Sequence, residues 1–109
     1  MITITYDRLE LKVNIEGHAN HDEMGKDIVC AGVSSLTYTL AMYAEKLNDN
    51  GKLYFEPTIR LDAGDTEIGV TVRGDYENEA RQVFDALCEG YNLISKTYPN
   101  NVQYHTVYH

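Results

Sequence analysis

The chain has 109 residues, 43% hydrophobic and 24% charged, with a formal net charge of -8. That length suits a single domain over residues 1–109, and no apolar run approaches the roughly 20 residues of a membrane helix. An acidic surface repels phosphate backbones, which argues against direct nucleic-acid binding; it would suit a basic partner, although many proteins are acidic for solubility alone. The opening MITITYDRLE alternates and carries charge, unlike a signal peptide, so the expected compartment is the cytoplasm.

Residues 2–6, ITITY, alternate with period two, as do Leu9, Leu11, Val13 and Ile15, with Asp7-Arg8 between the two runs. This predicts a two-stranded hairpin that ends at Gly17. Residues 19–26 are polar and aperiodic, a loop with Gly17 and Gly25 as hinges. Asp27 suits an N-cap, and a helix is expected from Ile28 to about Asn48. Its apolar stripe is Val29, Val33, Leu36, Leu40, Tyr43 and Leu47, and Asn48-Asp49-Asn50-Gly51 stops it. KLYFEPTIRLD and TEIGVTVRG read as two strands joined by the turn AGD, with Pro57 marking an edge or a bulge. A second helix is predicted from about Asn78 to Tyr98, with Ala80, Val83, Phe84, Leu87, Tyr91, Ile94 and Tyr98 as its stripe. Pro99-Asn100-Asn101 ends it, and VQYHTVYH alternates as a last strand. The order ββαββαβ predicts an α+β fold: a two-layer α/β sandwich, its sheet mainly antiparallel, with two helices.

Cys30 and Cys88 are the two cysteines, not in a CxxC arrangement. With Asp27 as cap, Cys30 falls at the third helical position, where its N–H is one of the unpaired donors of the helix start. The partial positive charge there favours a thiolate, and free N–H groups could hold an oxyanion. Cys30 flanks the apolar stripe, with Ser34 and Thr37 following on the same side. The competing reading makes it a small buried hydrophobe. His18 leaves the second strand after Gly17, and a strand end next to a helix start would bring imidazole to thiol. Equally, His18 decorates a loop. His18, His21 and Cys30 with Asp22 or Glu23 offer a zinc set, although HxxH without a second ligand pair is not a usual structural pattern. His105 and His109 read as solvent-facing and Cys88 as structural. Gly32 costs its helix about 1 kcal/mol against alanine; close packing against a strand or a partner subunit would explain it, and so would close approach of a peptide substrate.

The run GHA, a short polar loop and GKDIVCAGVSSL resembles the signature of the ribosomal-processing cysteine proteases, the Prp family. Gly17, His18, Ala19, Gly25, Asp27, Ile28, Val29, Cys30, Ala31, Val33 and Ser34 carry the match, and Gly32 stands where the family usually has alanine. Tyr98-Pro99 after the second helix also matches. The resemblance implies a cysteine endopeptidase with Cys30 as nucleophile and His18 as general base, supported by Gly17, Asp27 and Ser34. It implies no metal or cofactor, a homodimer, and a mobile loop from Asn20 to Lys26. The implied substrate is a basic ribosomal precursor, the twenty-seventh protein of the large subunit, which loses its N-terminal extension after an aromatic or apolar residue. A protease with another target and a non-catalytic ribosomal-protein-binding module are the alternatives. If the loop moves, the free protein should hold His18 and Cys30 beyond hydrogen-bond distance.

Overall fold

Alternation and helical periodicity resolve into five strands and two long helices in the computed structural model, which describes residues 1–18 and 26–108. Strands β1 (Ile2–Asp7) and β2 (Lys12–Gly17) precede helix α1 (Lys26–Asp49). Strands β3 (Thr58–Asp62) and β4 (Asp65–Gly69) follow, then helix α2 (Glu77–Thr97) and strand β5 (Val102–Val107). The sheet order is β3-β4-β2-β1-β5. Pairs β1–β2, β2–β4 and β3–β4 are antiparallel, and β5 alone runs parallel to its neighbour β1. The α+β sandwich and the mainly antiparallel sheet are therefore as expected.

Strand alternation sorts the sheet into two faces. Ile2, Ile4, Tyr6, Val13, Ile15 and Ile68 are buried towards the helices. Thr3, Thr5, Asn14 and Glu16 alternate with them, which gives the other face a polar surface that water can cover. From α1 come Val29, Val33, Leu40, Ala44 and Leu47, and from α2 Ala80, Phe84, Cys88 and Tyr91. Phe84 stacks on Tyr6 at a centroid distance of 6.2 Å and meets Tyr43 edge-on. The helices pack closely at two glycines: a Cβ on Gly32 would lie 2.9 Å from Ile94 Cδ1, and one on Gly90 would lie 2.7 Å from Leu36 Cδ2. Close helix packing thus accounts for Gly32. At the far end of the sheet, Asp85 on α2 accepts a 2.8 Å hydrogen bond from the Tyr6 hydroxyl and a two-pronged ion pair from Arg8.

Several boundaries differ from expectation, each for a physical reason. Asp7-Arg8 does not form a two-residue hairpin turn, because Asp7 is still in β1, paired with Lys12. The chain instead takes a four-residue turn over 8–11, with Leu11 at φ 56 and the Glu10 N–H donating to Asp7 Oδ1. Leu9 leaves the strand stripe and is exposed. The segment before Pro57 is not strand beyond a single bridge from Leu53 to Val72, and β3 starts only at Thr58, on the sheet edge. A 3-10 turn, Gly74–Tyr76, leads into α2. Helix α1 already includes Lys26, so Asp27 is inside its first turn and is not the N-cap. The loop 20–26 lies, but for Lys26, outside the described residues, as do His21 and His109. Among the described residues no helix is long and apolar enough to cross a membrane.

Candidate active site

One end of the sheet carries the chemistry. β2 ends on Gly17, whose backbone has φ +93, and His18 follows directly. Two hydrogen bonds hold this exit. The Met1 nitrogen donates to the His18 carbonyl at 2.8 Å, and the Gly17 N–H donates to the Gly64 carbonyl at 3.0 Å. A Cβ at Gly17 would overlap the Met1 carbonyl oxygen, a backbone atom with no freedom to withdraw, so glycine is required twice over: for φ and for space.

The first turns of α1 pass beside this exit. A cleft of about 300 Å³ is lined by Ile2, Ile15, Gly17, His18, Lys26, Cys30, Val33, Ser34 and Gly64. Cys30 is exposed there. The structure thus brings together Gly17, His18, Cys30 and Ser34, all expected from sequence. It does not bring in Asp27, which is exposed on the first turn and does not line the cleft. Thr37 is also absent. It is buried, its hydroxyl donating to the Val33 carbonyl at 2.6 Å and pairing with the Tyr91 hydroxyl at 2.8 Å, so it serves the helix–helix contact. His18 and Cys30 line the same cleft, yet among the described residues no hydrogen bond joins their side chains.

One expectation about Cys30 needs correction. With Lys26 already helical, Cys30 stands at least one full turn inside α1. Its N–H then points at the carbonyl four residues back, that of Lys26, and is not a free donor for an oxyanion. The free N–H groups of the helix start lie earlier in the chain. Lys26 itself, not singled out by the sequence pattern, also lines the cleft. Gly64 was overlooked as well. It was visible only as part of a turn signal, and nothing in its neighbours announces that it meets His18.

Cys88 is the opposite of Cys30. It is buried in the core, where desolvation, against a weaker opposing hydrogen bond with Tyr104, pushes its thiol up to about 12. Iodoacetamide applied to the native protein is therefore expected to modify Cys30 and spare Cys88, as read by peptide mass spectrometry. Labelling of both at similar rates would contradict this burial. Among the described residues no cluster of three or more His, Cys, Asp or Glu side chains is placed to hold a metal. His21, Asp22 and Glu23 of the sequence-based zinc set lie outside those residues.

An imidazole and an exposed thiol on one apolar-walled cleft, set between a strand end and a helix start, form the constellation of a thiol hydrolase. The chain matches the family described as Cysteine protease Prp over residues 1–103, and it belongs to that family. It is a cysteine protease. It is 30% identical over 113 residues to the ribosomal processing cysteine protease Prp of Bacillus subtilis (strain 168), which covers 91% of this chain and 88% of that protein. It also resembles the essential ribosomal processing protease Prp of S. aureus, solved with a covalently linked product peptide. That match has a TM-score of 0.68 and 26% identity, over 98% of this chain and 100% of the other. A solved protein of Streptococcus mutans shares the fold at a TM-score of 0.66 and 22% identity, over 99% of this chain and 93% of the other.

Proposed function

We propose that the protein is a site-specific endopeptidase of ribosome maturation, with Cys30 as nucleophile and His18 as general base. The observation that carries the assignment is the single cleft that holds both side chains at the end of β2. His18 takes the thiol proton, Cys30 Sγ attacks the peptide carbonyl carbon, and the carbonyl oxygen becomes an oxyanion. As the tetrahedral intermediate collapses, the C–N bond breaks and His18 returns its proton to the leaving amine. Water, deprotonated by His18, then cleaves the thioester and frees the thiol. Lys26, which lines the same cleft, and the helix-start N–H groups before Cys30 are candidate donors to the developing charge. Gly17 allows the bend that aims His18, Ser34 lines the wall beside Cys30, and Asp27 favours the helix start electrostatically.

Ile2, Ile15 and Val33 give the cleft apolar walls, which suit an aromatic or apolar side chain before the cut. The substrate is the precursor of the twenty-seventh protein of the large ribosomal subunit, which loses its N-terminal extension. The formal charge of -8 suits so basic a partner. The enzyme acts in the cytoplasm as a homodimer and needs no cofactor. Exposed Ile28, Tyr38 and Met42 on α1, with Leu93 on α2, offer an apolar surface for a second copy. The test is incubation with the precursor followed by intact-mass measurement. The wild type should yield the shortened product, and Cys30→Ala should leave the precursor whole. Cleavage retained by purified Cys30→Ala would end the assignment, and an intact precursor with wild type would leave a binding role or another target.

A further inference from the structure

The β3–β4 hairpin turns through Ala63 and Gly64, and Gly64 has φ +74. A type II turn needs glycine at such a position, which alone would explain the residue. Its surroundings ask for more. A Cβ at Gly64 would overlap His18 Nε2 and stand 2.8 Å from Cε1 and 3.3 Å from Cδ2. The imidazole therefore lies against the bare Cα of the turn. The carbonyl of the same residue accepts the Gly17 N–H at 3.0 Å, one residue before His18. A third contact, from the Met1 nitrogen to the His18 carbonyl, closes the other side. Gly64 thus meets the histidine segment twice, once at the ring and once at the backbone, from a strand pair 46 residues further along the chain.

We propose that Gly64 is a positioning residue for the general base. Its missing side chain is the seat of the His18 ring, and its carbonyl sets the height of the strand end that carries the ring. This rests on His18 acting as base. Any side chain at Gly64 pushes the ring off its seat and so changes its placement relative to Cys30, while the apolar walls that line the cleft stay in place. A misplacement of about 1 Å in a reacting group can cost on the order of 100-fold in rate.

Gly51 provides the control. Its φ is +71, close to that of Gly64, but a Cβ there would meet nothing within 4 Å. Gly51→Ala carries the same backbone strain without touching the site. The expected result is that Gly64→Ala lowers kcat on the precursor by about 100-fold while KM moves by less than about threefold. Gly51→Ala should keep the wild-type kcat, and both variants should lose similar thermal stability. In a His18→Ala background, Gly64→Ala should remove no further residual cleavage, because its effect runs through the ring. Wild-type kcat in Gly64→Ala, or full additivity with His18→Ala, would overturn the proposal. Cleavage unaffected by His18→Ala would instead overturn the assignment of the base. If Gly64→Ala fails to fold, the wild-type protein still decides. A nuclear Overhauser contact between the Gly64 α-protons and the His18 ring protons is expected, and its absence would overturn the seat.

Discussion

His18→Ala is expected to slow cleavage of the ribosomal precursor by about 1,000-fold, within the range that a positioned general base contributes. The loss should fall on kcat, since the walls of Ile2, Ile15 and Val33 proposed to take the substrate's apolar side chain are untouched. Two further measurements identify the loss as that of a base. Added imidazole should restore part of the rate, because removal of the ring enlarges a cleft that already holds about 300 Å³. Iodoacetamide should still modify Cys30 in the variant, which shows the nucleophile accessible and puts the loss on the missing ring. In a Cys30→Ala background, His18→Ala should change nothing measurable, as groups that act as one unit are not additive. A variant with more than a tenth of wild-type turnover would exclude His18 as the base.

The absence of a His18–Cys30 hydrogen bond fits this scheme. The proposed base and nucleophile share a cleft, and the His18 ring rests on Gly64. Catalytic hydrogen bonds often tighten only when substrate is bound. On the proposed mechanism the substrate has two tasks: it fills the apolar walls, and it closes the last gap between ring and thiol. Site-specific cleavage follows if only a side chain that fits those walls completes the pair.

What could be read from the residues was whatever depends on local pattern. Alternation in ITITY and helical spacing from Val29 to Leu47 are local, and both elements appear where the pattern puts them. Spacing alone leaves the pairing of His18 with Cys30 open; the resemblance of the GHA and DIVCA segments supplies it. Sheet order was not legible, because nothing local says that β5 lies parallel to β1 or that β4 pairs with β2. That order puts the β3–β4 turn beside Gly17, and so it hid the role of Gly64. The N-cap failed for a different reason. Asp27 has the right chemistry for a cap, but the helix continues through it, and its carboxylate then favours the helix start without capping it. Thr37 follows Cys30 along the same flank in sequence, but its hydroxyl is satisfied inside the core by Val33 and Tyr91 and does not reach the cleft.

Phe84→Ala is expected to be the most damaging single change to stability, at about 4 kcal/mol. Phe84 is fully buried where α2 meets the sheet, between the Tyr6 ring and the Tyr43 ring. Removing it takes away the transfer energy of a large side chain, two aromatic contacts, and the filling of a space that rigid neighbours close only in part. Tyr6 is held from its other end by Asp85, one residue along α2, so it cannot swing into the gap without giving up its hydrogen bond. A domain of this size has about 5–15 kcal/mol in total, so the variant should lose on the order of 20 °C in Tm. Leu9→Ala is the matched comparison. The sequence pattern put Leu9 in the buried stripe of β2, but it stands exposed in the 8–11 turn, where its carbonyl, and not its side chain, engages Arg81. Its loss should stay within about 0.5 kcal/mol. Denaturant midpoints for the two variants decide between pattern and structure: similar losses would put Leu9 back in the core, and a large gap confines the core to the residues packed around Phe84. Because His18 and Cys30 sit on elements that this core clamps together, Phe84→Ala should also inactivate at temperatures where Leu9→Ala still cleaves.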